Sequence, residues 1–207
     1  MALDGVGGSV VVGVGVQVVR GPVSVGIHGR IGVPDLDRIG DKTHPAWLSQ
    51  WLQDPKTVLP NTRMPHIPLT ATERDTLVHF LMNQRGKTPL SIPQKGNAIR
   101  SQKLFEDAQC DRCHRPNHAI GPALKNIGGK IRTPWLVAYL IRPADLVPNA
   151  RMPDYEFSRT QAQDLTAFLL EAPSDPSGFS FPSGQNRNQQ YTPDGLSLFV
   201  RKGCAGC

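Results

Sequence analysis

The chain is poor in aromatic residues, 13 of 207, so no core can rest mainly on stacked rings. It has no stretch of 18 consecutive apolar residues, and so no sequence signal for a bilayer-spanning helix. The apolar first twenty residues carry Asp4 where a secretory leader has a basic segment and are diluted by glycine, so they do not read as a leader. No run of five basic residues occurs. The net charge of +6 is scattered over Lys and Arg, which argues against nucleic-acid binding. No alternating β-branched run of strand length separates the helical patterns, and cysteine is absent before position 110. Collagen, coiled coil and extended disorder are excluded by composition.

Glycine and proline are abundant instead, about 19% of positions against an average near 12%. Such a chain favours short elements joined by many turns. It also repeats itself. Shifted by 88 positions, residues 34–82 align without a gap on 122–170, with 18 identities in 49 positions. These include Pro34/Pro122, Gly40/Gly128, Lys42/Lys130, Trp47/Trp135, the Arg-Met-Pro runs at 63–65 and 151–153, and Phe80-Leu81/Phe168-Leu169. A period this long suits a small domain copied in tandem rather than a solenoid.

Apolar side chains at i, i+1, i+4 and i+5 over 47–54 and 135–142 mark one face of a helix, which Pro55 and Pro143 are expected to end. A second helix opens in each copy with a capping box, Thr70/Glu73 and Ser158/Gln161, and buries Leu77, Phe80, Leu81 or Leu165, Phe168, Leu169. Leu198-Phe199 stands before Cys204 as Leu104-Phe105 stands before Cys110, after a Thr192-Pro193 helix start. The expected division is an atypical segment 1–30, a partial unit 31–84, a linker 85–95, a complete unit 96–171, a linker 172–191 and the start of a third unit at 192–207. The fold class is all-α, with proline-rich loops.

Cys110-Asp111-Arg112-Cys113-His114 is the haem c attachment pattern. Two thiols three positions apart can each add to one vinyl group, and the next residue aims an imidazole at the iron. A zinc site would pair this motif with a second Cys-x-x-Cys about 15–20 residues away, whereas Cys204/Cys207 lies beyond a whole repeat. A thioredoxin-like redox pair needs a βαβ context that the helical pattern denies. A low-spin electron carrier needs a second axial ligand, and Met152 is the leading candidate. A methionine is more often core filler, but this one lies in a loop that the repeat preserves. His/Met ligation leaves no open iron position, which favours electron transfer over substrate chemistry.

With these elements in order, residues 96–170 resemble a class I cytochrome c domain: a helix Asn97–Gln109, the motif at 110–114, Gly121-Pro122-x-Leu124, a helix around Trp135, Arg151-Met152-Pro153 and a final helix 159–170. The resemblance implies thioether links at Cys110 and Cys113, His114 as proximal and Met152 as distal ligand. It also implies a Pro122 carbonyl that accepts the other imidazole proton. Trp135 would pack near a haem propionate, or serve as ordinary core.

The first unit keeps Trp47 and Met64, but the offset puts Pro22, Val25 and Gly26 where the cysteines and histidine belong. Met64 is therefore a ligand only if that unit binds haem in the native protein, and His28 reads as a solvated loop histidine. The expectation is that residues 1–30 are not the native sequence before Ile31. Likewise Cys204 and Cys207 are expected to be the attachment cysteines of a third domain cut short, in a fragment of a tandem protein. The implied function is single-electron transfer by haem c in a multihaem cytochrome, an electron carrier rather than an enzyme. The rivals are the electron-entry portion of a larger respiratory oxidoreductase, a dihaem peroxidase and a zinc-binding module. Partners would be redox proteins with an acidic docking face, or a membrane-bound respiratory complex, in the periplasm or another extracytoplasmic space. Arg112, Arg115, Lys125, Lys130 and Arg132 are the candidate docking charges, or else a solvated surface with propionate neutralisation.

Overall fold

The computed structural model describes residues 36–114, 120–124, 127–171 and 193–206. Among these the fold is all-α: ten α-helices, two 3-10 turns and no sheet, only an isolated antiparallel bridge between Thr43 and Ile131. In chain order the helices are α1 (Ile39–Lys42), α2 (Pro45–Gln53), α3 (Pro55–Val58), α4 (Ala71–Met82), α5 (Ala98–Asp107), α6 (Ile127–Lys130), α7 (Thr133–Ile141), α8 (Pro143–Leu146), α9 (Arg159–Glu171) and α10 (Pro193–Arg201). Helices α6 to α9 start 88 positions after α1 to α4, the spacing of the sequence repeat. The segments 1–30 and 172–191, with His28 and Thr192, lie outside the described residues.

Local chemistry sets the element ends. Pro55 and Pro143 do more than stop α2 and α7. Each disfavours a helical residue before it, so Asp54 and Arg142 are extended, and each then serves as the first residue of a short new helix. The Asp54 carboxylate fixes that corner by accepting from the Lys56 amide (3.0 Å) and the Thr57 hydroxyl (2.6 Å). Both capping boxes form. Thr70 and Glu73 exchange bonds of 3.2 and 2.9 Å, and Ser158 and Gln161 bonds of 3.3 and 2.9 Å. Helix α5 is shorter than the expected Asn97–Gln109. Asn97 is its cap, accepting from Ile99 and Arg100, and Gln109 leaves the helix at φ 54°, in the left-handed region.

Two apolar cores result. One gathers Trp135, Leu136, Val137, Leu140, Phe157, Ala162, Leu165 and Leu169, with α5 packed across α9 through Phe105 and Phe168, centroids 5.4 Å apart. The other gathers Leu48, Leu52, Leu77, Val78, Phe80 and Leu81 of the first unit with Leu198 and Phe199 of α10. The helix expected to open a third unit thus packs on the first, where α4 meets α10 as α9 meets α5. Phe80 and Phe199 repeat the Phe168–Phe105 contact at 5.5 Å. Burying Leu198 and Phe199 stabilises by roughly 2 kcal/mol each. The accompanying partly exposed ion pair Lys202–Glu73 (2.8 Å) adds at most about 1 kcal/mol, so apolar burial seats the helix.

The two units face each other across a local twofold. The His44 amide donates to the Lys130 carbonyl (3.1 Å), and the Arg132 amide to the Lys42 carbonyl (2.9 Å). Lys42 Nζ lies 4.9 Å from the Trp135 ring centre, and Lys130 Nζ 4.6 Å from that of Trp47. Each tryptophan stacks within its own helix, Trp47 on Trp51 (5.2 Å) and Trp135 on Tyr139 (4.6 Å).

Candidate functional site

At the end of α5 the left-handed Gln109 turns the chain into a 3-10 turn, Cys110–Arg112. That turn puts both cysteines and the histidine on one short loop, with the Cys113 and His114 amides donating to the Cys110 carbonyl at 3.3 and 3.1 Å. Both thiols are free and half-buried. Burial pushes the Cys110 thiol above its usual range, so it stays protonated at neutral pH.

His114 Nδ1 lies 2.7 Å from the Pro122 carbonyl oxygen. A carbonyl can only accept, so the proton sits on Nδ1 and the Nε2 lone pair is left for a metal. Gly121 makes this possible. A Cβ there would stand 2.9 Å from the His114 Cε1 and Nδ1, and the Gly121 amide bonds the Cys113 carbonyl at 3.0 Å.

Met152, half-buried in the loop between α8 and α9, packs against the core that holds Trp135 and Leu136. Three residues on, the Tyr155 phenol is pushed up by burial and further by Cys110 and Cys113, so the loop that carries Met152 comes down beside the two cysteines. Tyr155 stacks on Phe157 at 5.3 Å, which anchors it to the core. Two thiols, an imidazole with a free Nε2 and a thioether are the donor set of a c-type haem, and these residues fit that group. Among the described residues no group of three or more His, Cys, Asp or Glu side chains could hold a metal ion by themselves.

Trp135 is buried in the core and reaches the seam between units, under Lys42. Met64 packs against the first core together with Cys204 and Ala205, so a methionine and a Cys-x-x-Cys cysteine distant in sequence share one cluster; Cys207 lies outside the described residues. Of the candidate docking charges, Arg112 is exposed, whereas Arg115 and Lys125 lie outside the described residues. Lys130 is a correction. It ends α6 facing the other unit and covers Trp47, so it is part of an internal seam rather than an open docking face. Arg132 is half-buried beside it.

Tyr155 and Lys42 went unmarked by sequence reasoning. Tyr155 has Ile67 as its repeat counterpart and gives no signal, but the Lys42/Lys130 identity was a signal that could have been followed. No described helix is long and apolar enough to cross a membrane. Comparison with curated proteins and with solved structures gave no match. Residues 98–173 match the family model described as Cytochrome c, a haem-binding electron-transfer domain, and the match spans every residue of the site just described.

Proposed function

We propose that the chain is a multihaem c-type cytochrome that passes single electrons between redox proteins. The observation that carries this reading is the His114–Pro122 bond, which presents a bare Nε2 one residue after a Cys-x-x-Cys pair. When bound, haem c supplies an iron that cycles by one electron. Cys110 and Cys113 hold it by thioether bonds, His114 Nε2 and Met152 Sδ take its axial positions, and the Pro122 carbonyl keeps the imidazole in one tautomer and orientation. A thioether favours the ferrous state, so the potential lies above that of a bis-histidine site. With both axial positions filled, the site serves electron transfer rather than substrate chemistry.

A second site is supported by the 88-residue repetition of helices and by Met64 sharing a core with Cys204. In this reading the tandem units function in the periplasm or another extracytoplasmic space. The net charge of +6 and the exposed Arg112 suit an acidic docking face on the partner.

The test is expression with cytochrome c maturation machinery, followed by an alkaline pyridine haemochrome spectrum. A c-type spectrum with about one haem per chain at Cys110–His114 is expected, and stoichiometric zinc without covalent haem would sink the reading. Met152→Ala should remove the weak red sulfur-to-iron band of the ferric protein and lower its potential. Survival of both would mean that another residue is the distal ligand.

A further inference from the structure

The seam between the two units is basic on both sides. Lys42 ends α1, Lys130 ends α6, and each ammonium covers the other unit's tryptophan at 4.9 and 4.6 Å. Between them the backbone is locked by the two exchanged hydrogen bonds, and Thr43, at the centre, has no exposed surface. The residues that follow on each strand are His44 and Arg132, also basic, and His44 is held below the usual histidine range by burial and by Arg132.

Among the described residues neither lysine has a carboxylate within ion-pair distance. Asp41, next to Lys42, is committed to Arg38 (2.9 Å) and to the Gly86 amide (2.9 Å). The tryptophan faces supply some negative potential, but a ring is a weak substitute for a counter-ion once the ammonium has lost water. Burial, and Lys130 after it, bring Lys42 down to about 8, and burial lowers Lys130 as well. Such a pair of like charges, fixed by a rigid backbone and repeated by the local twofold, lacks its anion.

We infer that Lys42 and Lys130 form a carboxylate-binding site at the seam between the two units, with the carboxylate oxygens bridging the two ammonium groups. A carboxylate has two oxygens to offer two donors, and Lys is a compact point donor suited to it. That chemistry has two sources: a propionate of a haem bound in either unit, which rests on the haem reading above, or a free carboxylate, which does not.

The test follows the lysines directly. The full chain, as matured with haem, is reductively methylated with carbon-13 formaldehyde, and each lysine is titrated by NMR, with Lys42→Arg and Lys130→Arg assigning the signals. The titration is run in carboxylate-free buffer and again with millimolar citrate. A carboxylate on the pair should bring Lys42 from about 8 to at least the ordinary lysine value of about 10.4. A rise already present without citrate assigns the site to a propionate, and a rise only with citrate assigns it to free carboxylates. A Lys42 that stays near 8 in both overturns the site. If the chain carries no haem, the citrate arm still reads the lysines, so the two failures are distinguishable. Lys130→Met, which keeps length and apolar contact with Trp47, should weaken the citrate response roughly tenfold. An unchanged response would also overturn the proposal.

Discussion

Gln109 and Gly203 hold the same left-handed position, at φ 54° and 75°, each just before the first cysteine of a Cys-x-x-Cys pair. Glycine adopts that conformation without a Cβ clash, and glutamine does so at a cost of about 1 kcal/mol. Position 203 could be read from its residue type, and position 109 could not. A similar comparison isolates Thr166. It is 1% exposed and its hydroxyl has no hydrogen-bond partner, while the repeat puts Val78, 3% exposed, at the equivalent place. Thr166→Val keeps the shape and removes the unpaired group, so denaturant unfolding should show a gain of about 1 kcal/mol. A loss would mean that the hydroxyl is bonded after all. The site shows the same division. Cys110, Cys113, His114 and Met152 were legible because attachment chemistry demands a fixed local spacing. Tyr155 and the Lys42–Trp135 contact were not, because they depend on how distant segments meet.

Helices were legible by their apolar period and caps, but their ends were shifted wherever proline acts as a start rather than a stop, as at Pro55 and Pro143. The contact that fixes α5 on α9 was not legible at all. The Asp164 carboxylate, 9% exposed, accepts two bonds from the Arg100 guanidinium (3.0 and 3.1 Å) and one from the Asn97 amide (2.6 Å). Arg100 first and the Asn97 amide after it hold this carboxyl below the usual range, against a smaller opposing effect of burial. A group depressed in the folded state stabilises above its unfolded value of about 3.9, and that contribution is lost as pH falls through the folded value. Asp164→Asn should therefore lower the melting temperature at neutral pH, and the gap to the parent protein should close as the medium is acidified below about pH 4. A gap that persists in acid would assign the effect to packing instead.

Across the whole molecule, two cores of matching design were foreseeable from the 88-residue repeat, but not which helix completes which core. Helices α5 and α10 carry the same Leu-Phe pair and offer the same face, so sequence alone cannot assign their partners. Small residues permit the close crossing: Ser101 is wholly buried, and a Cβ on Gly195 would stand 2.6 Å from that of Phe80. Gly195→Val should push α10 off α4. Hydrogen exchange is then expected to show lost protection over 71–82 with protection over 159–171 intact. Equal losses in both helices would mean that the units are not separately completed.

The seating of α10 also sets an order of assembly. A ribosome releases α4 first, yet the helix that covers Phe80 follows about 110 residues later, after every element of the central domain has emerged. Folding during synthesis must then run from the middle outward, with Leu77, Phe80 and Leu81 the earliest apolar face to be made and the last to be covered.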